Sequence, residues 1–310
     1  MRYLVTGGAG FIGSHITAAL VSKGHFVRVL DNFSSGKTKN LEACGKRIDL
    51  LRGDIRSPEV CLKACEGMDF VLHQAALRSV PRSMENPAEY NEVNIGGTLN
   101  MLEAALKNKV KGFVFASSSS VYGDVKSFPQ KEDFTPRPIS PYALTKLTGE
   151  HYCRFFSSRY GLSTVCLRYF NVFGPRQALD DEYAVVIPKF IHCLLNDEHA
   201  PIYGTGKQSR DFTYIDNVAE ANLLAAKKGG RGEVFNIASG RPYTIIDLLK
   251  FLQKIMGKNI KPVFLPKRAG DVFKTHASLA QAQRKLGFRP KVDFIAGLRM
   301  TVEYFERSTG

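Results

Sequence analysis

Tyr142 and Lys146 stand four residues apart in Tyr142-Ala143-Leu144-Thr145-Lys146. On a helix this spacing puts both side chains on one face, about one turn apart. An ammonium beside a phenol favours the tyrosinate, so the pair can lower a pKa that is ordinarily about 10 and serve as a general base. Upstream lies Ala116-Ser117-Ser118-Ser119-Ser120-Val121-Tyr122-Gly123. Taken singly, neither segment means much: a Tyr and a Lys at this spacing arise by chance, and four serines make an ordinary polar turn.

Their company changes the reading. Directly after the first apolar run comes Thr6-Gly7-Gly8-Ala9-Gly10-Phe11-Ile12-Gly13-Ser14, with Gly7, Gly10 and Gly13 three residues apart. Glycines there tighten a turn and let the backbone approach a pyrophosphate, while the following helix presents its N–H groups and positive dipole end. Between a strand and a helix, at the start of a βαβ unit, this predicts a dinucleotide site. The second strand ends in Leu30-Asp31-Asn32, where a carboxylate can accept from ribose hydroxyls, favouring NAD; Lys37 and Lys39 keep NADP open. Asp54, after the third strand, is placed to bond the adenine. An oxidised nicotinamide would add a second positive charge beside Tyr142.

The elements that must position these groups follow from hydrophobic period. Strands are predicted at Tyr3–Thr6, Phe26–Leu30, Ile48–Arg52, Phe70–His73, Gly112–Ala116 and Ser163–Arg168, and helices at Ile12–Ser22, Pro58–Cys65, Pro87–Lys107 and Pro141–Tyr160. This alternation implies an α/β fold with a Rossmann-type doubly wound parallel sheet. Beyond Arg168 the rhythm breaks into loops rich in Gly, Pro and Asp. The expected division is residues 1–169 for the dinucleotide and 170–310 mainly for the substrate, the latter a smaller α/β lobe with some segments returning to the first.

Composition narrows the class. Across 310 residues, 43 Lys and Arg against 29 Asp and Glu leave a formal charge of +14, and 44% hydrophobic residues suffice for a large core. The basic residues are dispersed, without a helix-turn-helix or a basic stretch interleaved with aromatics, so no nucleic acid partner is expected. No apolar run approaches a membrane span, and no leader precedes the first strand, so a cytoplasmic protein is expected. Cys44, Cys61, Cys65, Cys153, Cys166 and Cys193 lack metal-site spacing and read as free thiols, with no metal.

Taken together, the segments GGAGFIGS at Gly7, DNFSSG at Asp31, HQAA at His73, SSSSVYG at Ser117, YALTK at Tyr142, RYFNVFGPRQ at Arg168, SRDFTYIDNV at Ser209 and RAGD at Arg268 resemble the extended short-chain dehydrogenases/reductases over essentially the whole chain. Within these the chain is most similar to the nucleotide-sugar 4-epimerases, especially the UDP-N-acetylglucosamine 4-epimerase branch. The resemblance implies NAD held by Gly7, Gly10, Phe11, Ile12, Gly13, Asp31, Asn32, Asp54, Ile55, Gln74, Ala75, Ala76 and Asn94. It implies Tyr142 as the base, Lys146 on the nicotinamide ribose, and Ser118 on the reacting hydroxyl. It implies a UDP-sugar held by Asn171, Arg210 and Arg268 at the diphosphate, Asp271 at the ribose, and Val186, Ile187 and Pro188 at the uracil, with Ser119, Ser120 and Arg82 also at the substrate. Four residues past Asp271, Thr275 would border the sugar, small enough to admit an N-acetyl group. Related enzymes also pair two long helices per subunit into a four-helix bundle, implying a homodimer through Pro87–Lys107 and Pro141–Tyr160.

The implied reaction interconverts UDP-N-acetylglucosamine and UDP-N-acetylgalactosamine, and UDP-glucose and UDP-galactose as well, through a 4-keto sugar. Ser119 and Ser120 stand where 4,6-dehydratases carry an acidic pair, which disfavours dehydration. A UDP-glucuronate 4-epimerase remains open through Arg78 or Arg82, as does a reductase consuming NADPH. From another class, an NAD-sensing protein would need the glycine turn but not Ser118, Tyr142 and Lys146.

Overall fold

The computed structural model describes residues 1–178, 186–267 and 272–309. Six strands follow the predicted order: β1 (Arg2–Thr6), β2 (Phe26–Asp31), β3 (Ile48–Arg52), β4 (Phe70–His73), β5 (Gly112–Ser118) and β6 (Thr164–Tyr169). With the strand Arg231–Ile237 they form one seven-stranded parallel sheet in the order Arg231–Ile237, β6, β5, β4, β1, β2, β3. Side chains alternate along each strand, so the sheet feeds two cores. Leu4, Val71, Phe113 and Phe115 lie in one apolar cluster. Val5, Leu72 and Val114 lie in the other.

Strand order reverses between β1 and β4, which opens a crevice at the carboxyl ends of the strands. The helix α1 (Phe11–Ser22) starts at one side of that crevice. The long helix Pro141–Tyr160 runs beside β5 and β6 at the other, begun by Ser140, whose hydroxyl accepts from Ala143 N, and ended by Gly161 in the left-handed region.

The stretch expected as one helix, Pro87–Lys107, keeps helical backbone throughout but widens into a π turn over Asn91–Gly96 between Pro87–Tyr90 and Gly97–Lys107. The cause is Asn94. Its amide nitrogen donates to Leu77 O (3.0 Å) and Thr145 Oγ1 (3.1 Å), and its oxygen accepts from Leu77 N (2.8 Å), so the wider turn brings a polar residue inward where helical period would place an apolar one.

Beyond β6 the sequence rhythm is lost because the strands become very short: Val172–Phe173 pairs with Thr213–Tyr214, Ser209–Asp211 with Pro242–Thr244, and Pro201–Tyr203 with Val263–Leu265. The helix Ile215–Lys228 turns back onto α1 before Arg231–Ile237 completes the sheet. One core is continuous across both parts, from Val5 and Val114 to Leu248 and Phe294. Phe294 stacks on Phe212 (ring centroids 5.2 Å apart) and Tyr243 (4.3 Å). Among the described residues no helix is long and apolar enough to cross a membrane, and no group of three or more His, Cys, Asp or Glu could hold a metal.

Gly149 sets how close the long helix lies to β5: a Cβ there would sit 2.3 Å from the Phe115 ring. Alanine at an exposed mid-helix glycine stabilises by about 0.5–1 kcal/mol. Here the sign reverses. Gly149→Ala is expected to lose about 1–3 kcal/mol in denaturant unfolding through overpacking, and a gain in stability would refute the close-packing account.

Candidate active site

The crevice holds a cavity of about 670 Å³. At one wall, Gly7 has φ +64°, and a Cβ on it would meet the Ala75 backbone at 2.8 Å; a Cβ on Gly13 would come within 2.1 Å of Gly7 O. These clashes are why the turn must be glycine. The α1 helix begins at Gly10 with no side-chain cap, so its first-turn N–H groups are left for a ligand. Asp31, buried at the end of β2, accepts from Ala9 N (2.9 Å) and Phe33 N (2.8 Å), which fixes the direction of its carboxylate. Phe11, Ile12, Asn32, Ile55, Gln74, Ala75 and Ala76 line the same cavity. The donor set fits a dinucleotide: uncapped N–H groups for a pyrophosphate and an anchored carboxylate for a ribose.

Two of the expected coenzyme residues have additional partners. Asp54 lines the cavity, but the Arg56 guanidinium (2.9 Å) and, to a lesser extent, Asn32 Nδ2 (2.9 Å) hold its carboxyl down at about 2. Asn94 stands behind the wall, tying the loop at Leu77 to the long helix. Beneath the floor, the buried His73 shares hydrogen bonds with Thr6 (2.7 Å) and Thr98 (3.1 Å), and burial first, then Lys146, pushes its pKa down to about 3.

At the other wall the end of β5 meets the long helix. Ser118 Oγ accepts from Ser120 N (3.2 Å) and Ser120 Oγ (2.9 Å), which leaves its own proton for the Tyr142 oxygen it bonds. Lys146 Nζ donates to Ala116 O (2.8 Å) and lies 5.9 Å from the centre of the Tyr142 ring. Burial raises the Tyr142 pKa, opposed by the Ser118 bond and by Arg78, and burial pushes Lys146 down to about 8. The expected lowering of the phenol draws on Lys146 together with the oxidised nicotinamide; in the protein alone burial is the largest influence on Tyr142, and a backbone carbonyl holds the ammonium.

Among the residues expected at the substrate, Asn171 has φ +36° and donates to Thr275 Oγ1 (2.9 Å) and Asp211 O (3.1 Å). Thr275 Oγ1 also accepts from Asp211 N (3.1 Å), so its hydroxyl is committed twice. The buried Asp211 carboxylate accepts from Ser239 N and Oγ, Gly240 N and Ala277 N, fastening the strand that carries Arg210 to the segment after Thr275. Arg210 donates to Ser209 O (2.8 Å) and Phe273 O (3.3 Å). Ser119 and Ser120 form the 3₁₀ turn that follows β5.

None of the described residues expected at the substrate lines this cavity: Ser118, Ser119, Ser120, Asn171, Arg210 and Thr275 lie outside its wall, and so do the remaining ones. Arg82 is exposed on the short helix Val80–Glu85 and does not line it. Ile187 and Pro188 are buried and Val186 packs against the core, because the apolar face of Val186–Leu195 turns inward. Arg268 and Asp271 lie outside the described residues. Sequence reasoning assigned no individual role to Tyr169, Arg176 or Gln177, which line the cavity. Arg176 Nη1 and Gln177 Oε1 are buried without a hydrogen-bond partner among the described residues. Their place inside RYFNVFGPRQ was the available signal, but no periodicity marks them.

With this geometry in view, residues 3–238 match the model of the NAD-dependent epimerase/dehydratase family. The chain is similar to the UDP-N-acetylglucosamine 4-epimerase of Methanobrevibacter ruminantium M1, solved with UDP-N-acetylmuramic acid, at 41% identity over 99% of this chain and 98% of that one, TM-score 0.95. It is similar to the UDP-glucose 4-epimerase of Thermotoga maritima, solved with UDP-glucose, at 42% identity over 100% of both chains, TM-score 0.96. The UDP-glucuronic acid 4-epimerase of Bacillus cereus, solved with UDP-glucuronic acid and NAD, matches at 36% identity over 99% of this chain and 100% of that one, TM-score 0.92. Glycine turn, anchored carboxylate, Tyr/Lys helix and these matches agree, and the chain belongs to the NAD-dependent epimerase/dehydratase family, with NAD as its coenzyme.

Proposed function

We propose that the protein is a UDP-sugar 4-epimerase that interconverts UDP-N-acetylglucosamine and UDP-N-acetylgalactosamine and also accepts UDP-glucose and UDP-galactose. The observation that carries the sugar assignment is Thr275, a small residue beside Asn171 whose hydroxyl is held by two donors. In this reading it leaves room for an acetamido group. The similar Methanobrevibacter enzyme, named for that sugar, supports the assignment.

When bound, NAD supplies a hydride acceptor that returns what it takes. Tyr142 removes the proton from the sugar 4-hydroxyl and later gives one back. Ser118 orients that hydroxyl, and Lys146 holds the nicotinamide ribose. Asn171, Arg210 and Arg268 grip the diphosphate while Asp271 takes the ribose, so the 4-keto sugar can turn without leaving. No net oxidation results. Residues 1–169 serve the coenzyme and 170–310 mainly the substrate, with Ile215–Ile237 returning to the sheet. UDP-glucuronate is the second reading, favoured by Arg176 Nη1, buried on the cavity wall without a hydrogen-bond partner among the described residues.

A panel of UDP-sugars without added coenzyme tests this. Turnover of both N-acetyl sugars is expected, with a roughly 10²- to 10⁴-fold loss in Tyr142→Phe. Thr275→Tyr is expected to exclude the N-acetyl sugars and spare UDP-galactose. NAD binding without any turnover would leave a sensor, and stoichiometric NADPH consumption a reductase.

The same roles set a pH dependence. Burial lowers Lys146 from its ordinary 10.5 to about 8, so the unfolded chain binds more protons between those values. The penalty on its ammonium is full below about pH 8 and relieved above. In nucleotide-stripped protein, the stability of wild type relative to Lys146→Met should therefore rise between about pH 8 and 10.5. A flat difference would contradict the buried ammonium.

The assembly proposed is a homodimer. Leu144, Phe155 and Tyr160 of the long helix are 53%, 51% and 51% exposed, apolar surface that a partner subunit could cover. Light scattering at micromolar concentration should give twice the chain mass, and a monomer there ends the proposal.

A further inference from the structure

Three successive residues at the end of β5 are each bonded to the long helix, and their partners are spaced four apart. Ser118 bonds Tyr142, Ala116 O accepts from Lys146 Nζ, and Ser117 Oγ donates to Glu150 Oε1. The first two contacts belong to the groups assigned above to the chemistry. The third has no such role: Glu150 lies two turns from Tyr142, about 12 Å along the axis.

Glu150 is itself gripped. Arg168, on β6, donates Nε to Glu150 Oε1 (2.8 Å) and Nη2 to Oε2 (2.7 Å), a two-point fork that fixes the carboxylate in direction as well as distance. Both side chains are almost wholly buried, at 3% and 5% exposure. The guanidinium lies 4.6 Å from the centre of the Tyr122 ring, and Tyr122 Oη donates to Asn236 in the closing strand of the sheet. The helix is thereby referred to β5, β6 and Arg231–Ile237 at once.

A buried ion pair is a poor way to gain stability, because desolvating two charges offsets most of their attraction and an apolar pair of similar volume would often do as well. Apolar contact, however, is non-directional and tolerates a helix sliding along its axis. The hydrogen-bonded carboxylate does not. We infer that Glu150, clamped by Arg168 and bonded to Ser117, is a positioning residue that sets the axial register of the long helix against β5 and so keeps Tyr142 in bonding range of Ser118. The inference rests on the reading of Tyr142 as the base.

The test uses the holoenzyme. Ser117→Ala removes the third contact and leaves the ion pair intact, so folding is not at stake; Ser117→Thr restores the hydroxyl; Tyr142→Phe is the reference. Measured are kcat and KM for UDP-N-acetylglucosamine, retained nucleotide, melting temperature, and the pH at which Tyr142 ionises, from phenolate absorbance relative to Tyr142→Phe. Expected for Ser117→Ala is a roughly ten- to hundredfold lower kcat, KM within about twofold, full nucleotide content, and ionisation at higher pH because the Ser118 bond that favours the phenolate is loosened. Ser117→Thr should recover kcat and ionisation together. Wild-type kcat and ionisation in Ser117→Ala overturn the inference whatever the melting temperature does, and so does a lower kcat with unmoved ionisation. Activity in Tyr142→Phe would remove the base assignment instead, a failure that none of the other outcomes mimics.

Discussion

The approach of the long helix Pro141–Tyr160 to β5 is the constraint on which the rest depends. It is possible because Gly149 has no side chain to meet Phe115, and it brings the half-buried Tyr142 and the buried Lys146 to the cavity wall together. Burial then sets the electrostatics: a phenol pushed up, an ammonium pushed down, each kept in place by a polar partner on β5. Burial raises the phenol, and the Ser118 bond and Arg78 oppose it.

The second part of the molecule is built on this platform and is not an independent unit. The core runs from Val5 beneath the glycine turn to Phe294 near the chain end, and Ile215–Lys228 packs against the helix that starts at that turn. The Asp211 carboxylate gathers the loop at Ser239 and the segment at Ala277 around the strand of Arg210. A residue that is itself remote from any reaction thus determines where several polar groups converge.

Much of this was legible in the sequence because it is local. The six predicted strands end within two residues of the observed ones, since β-branched runs between turn residues carry their own period, and the glycines announce themselves by spacing. What escaped depends on partners far along the chain. Nothing near Asn94 signals that Leu77 and Thr145 will draw it inward through a π turn. The burial of Ile187 on the inward apolar face of its helix is likewise set by distant core partners. Glu150 looks like any acidic residue on a helix until Arg168 arrives from the next strand. The four-residue spacing of Tyr142 and Lys146 places them on one helix, but it says nothing about the burial that raises the one and lowers the other.

The double commitment of the Thr275 hydroxyl has a consequence for how this enzyme could diversify. A residue that serves only as a wall can be exchanged freely, and substrate range can drift one substitution at a time. Thr275 is also the acceptor for Asn171 and for the backbone of Asp211, so a replacement without an acceptor strands two buried donors. Serine satisfies both and changes little. Apolar residues leave both donors without their acceptor, so exchange at this position is limited by hydrogen bonding as well as by side-chain size.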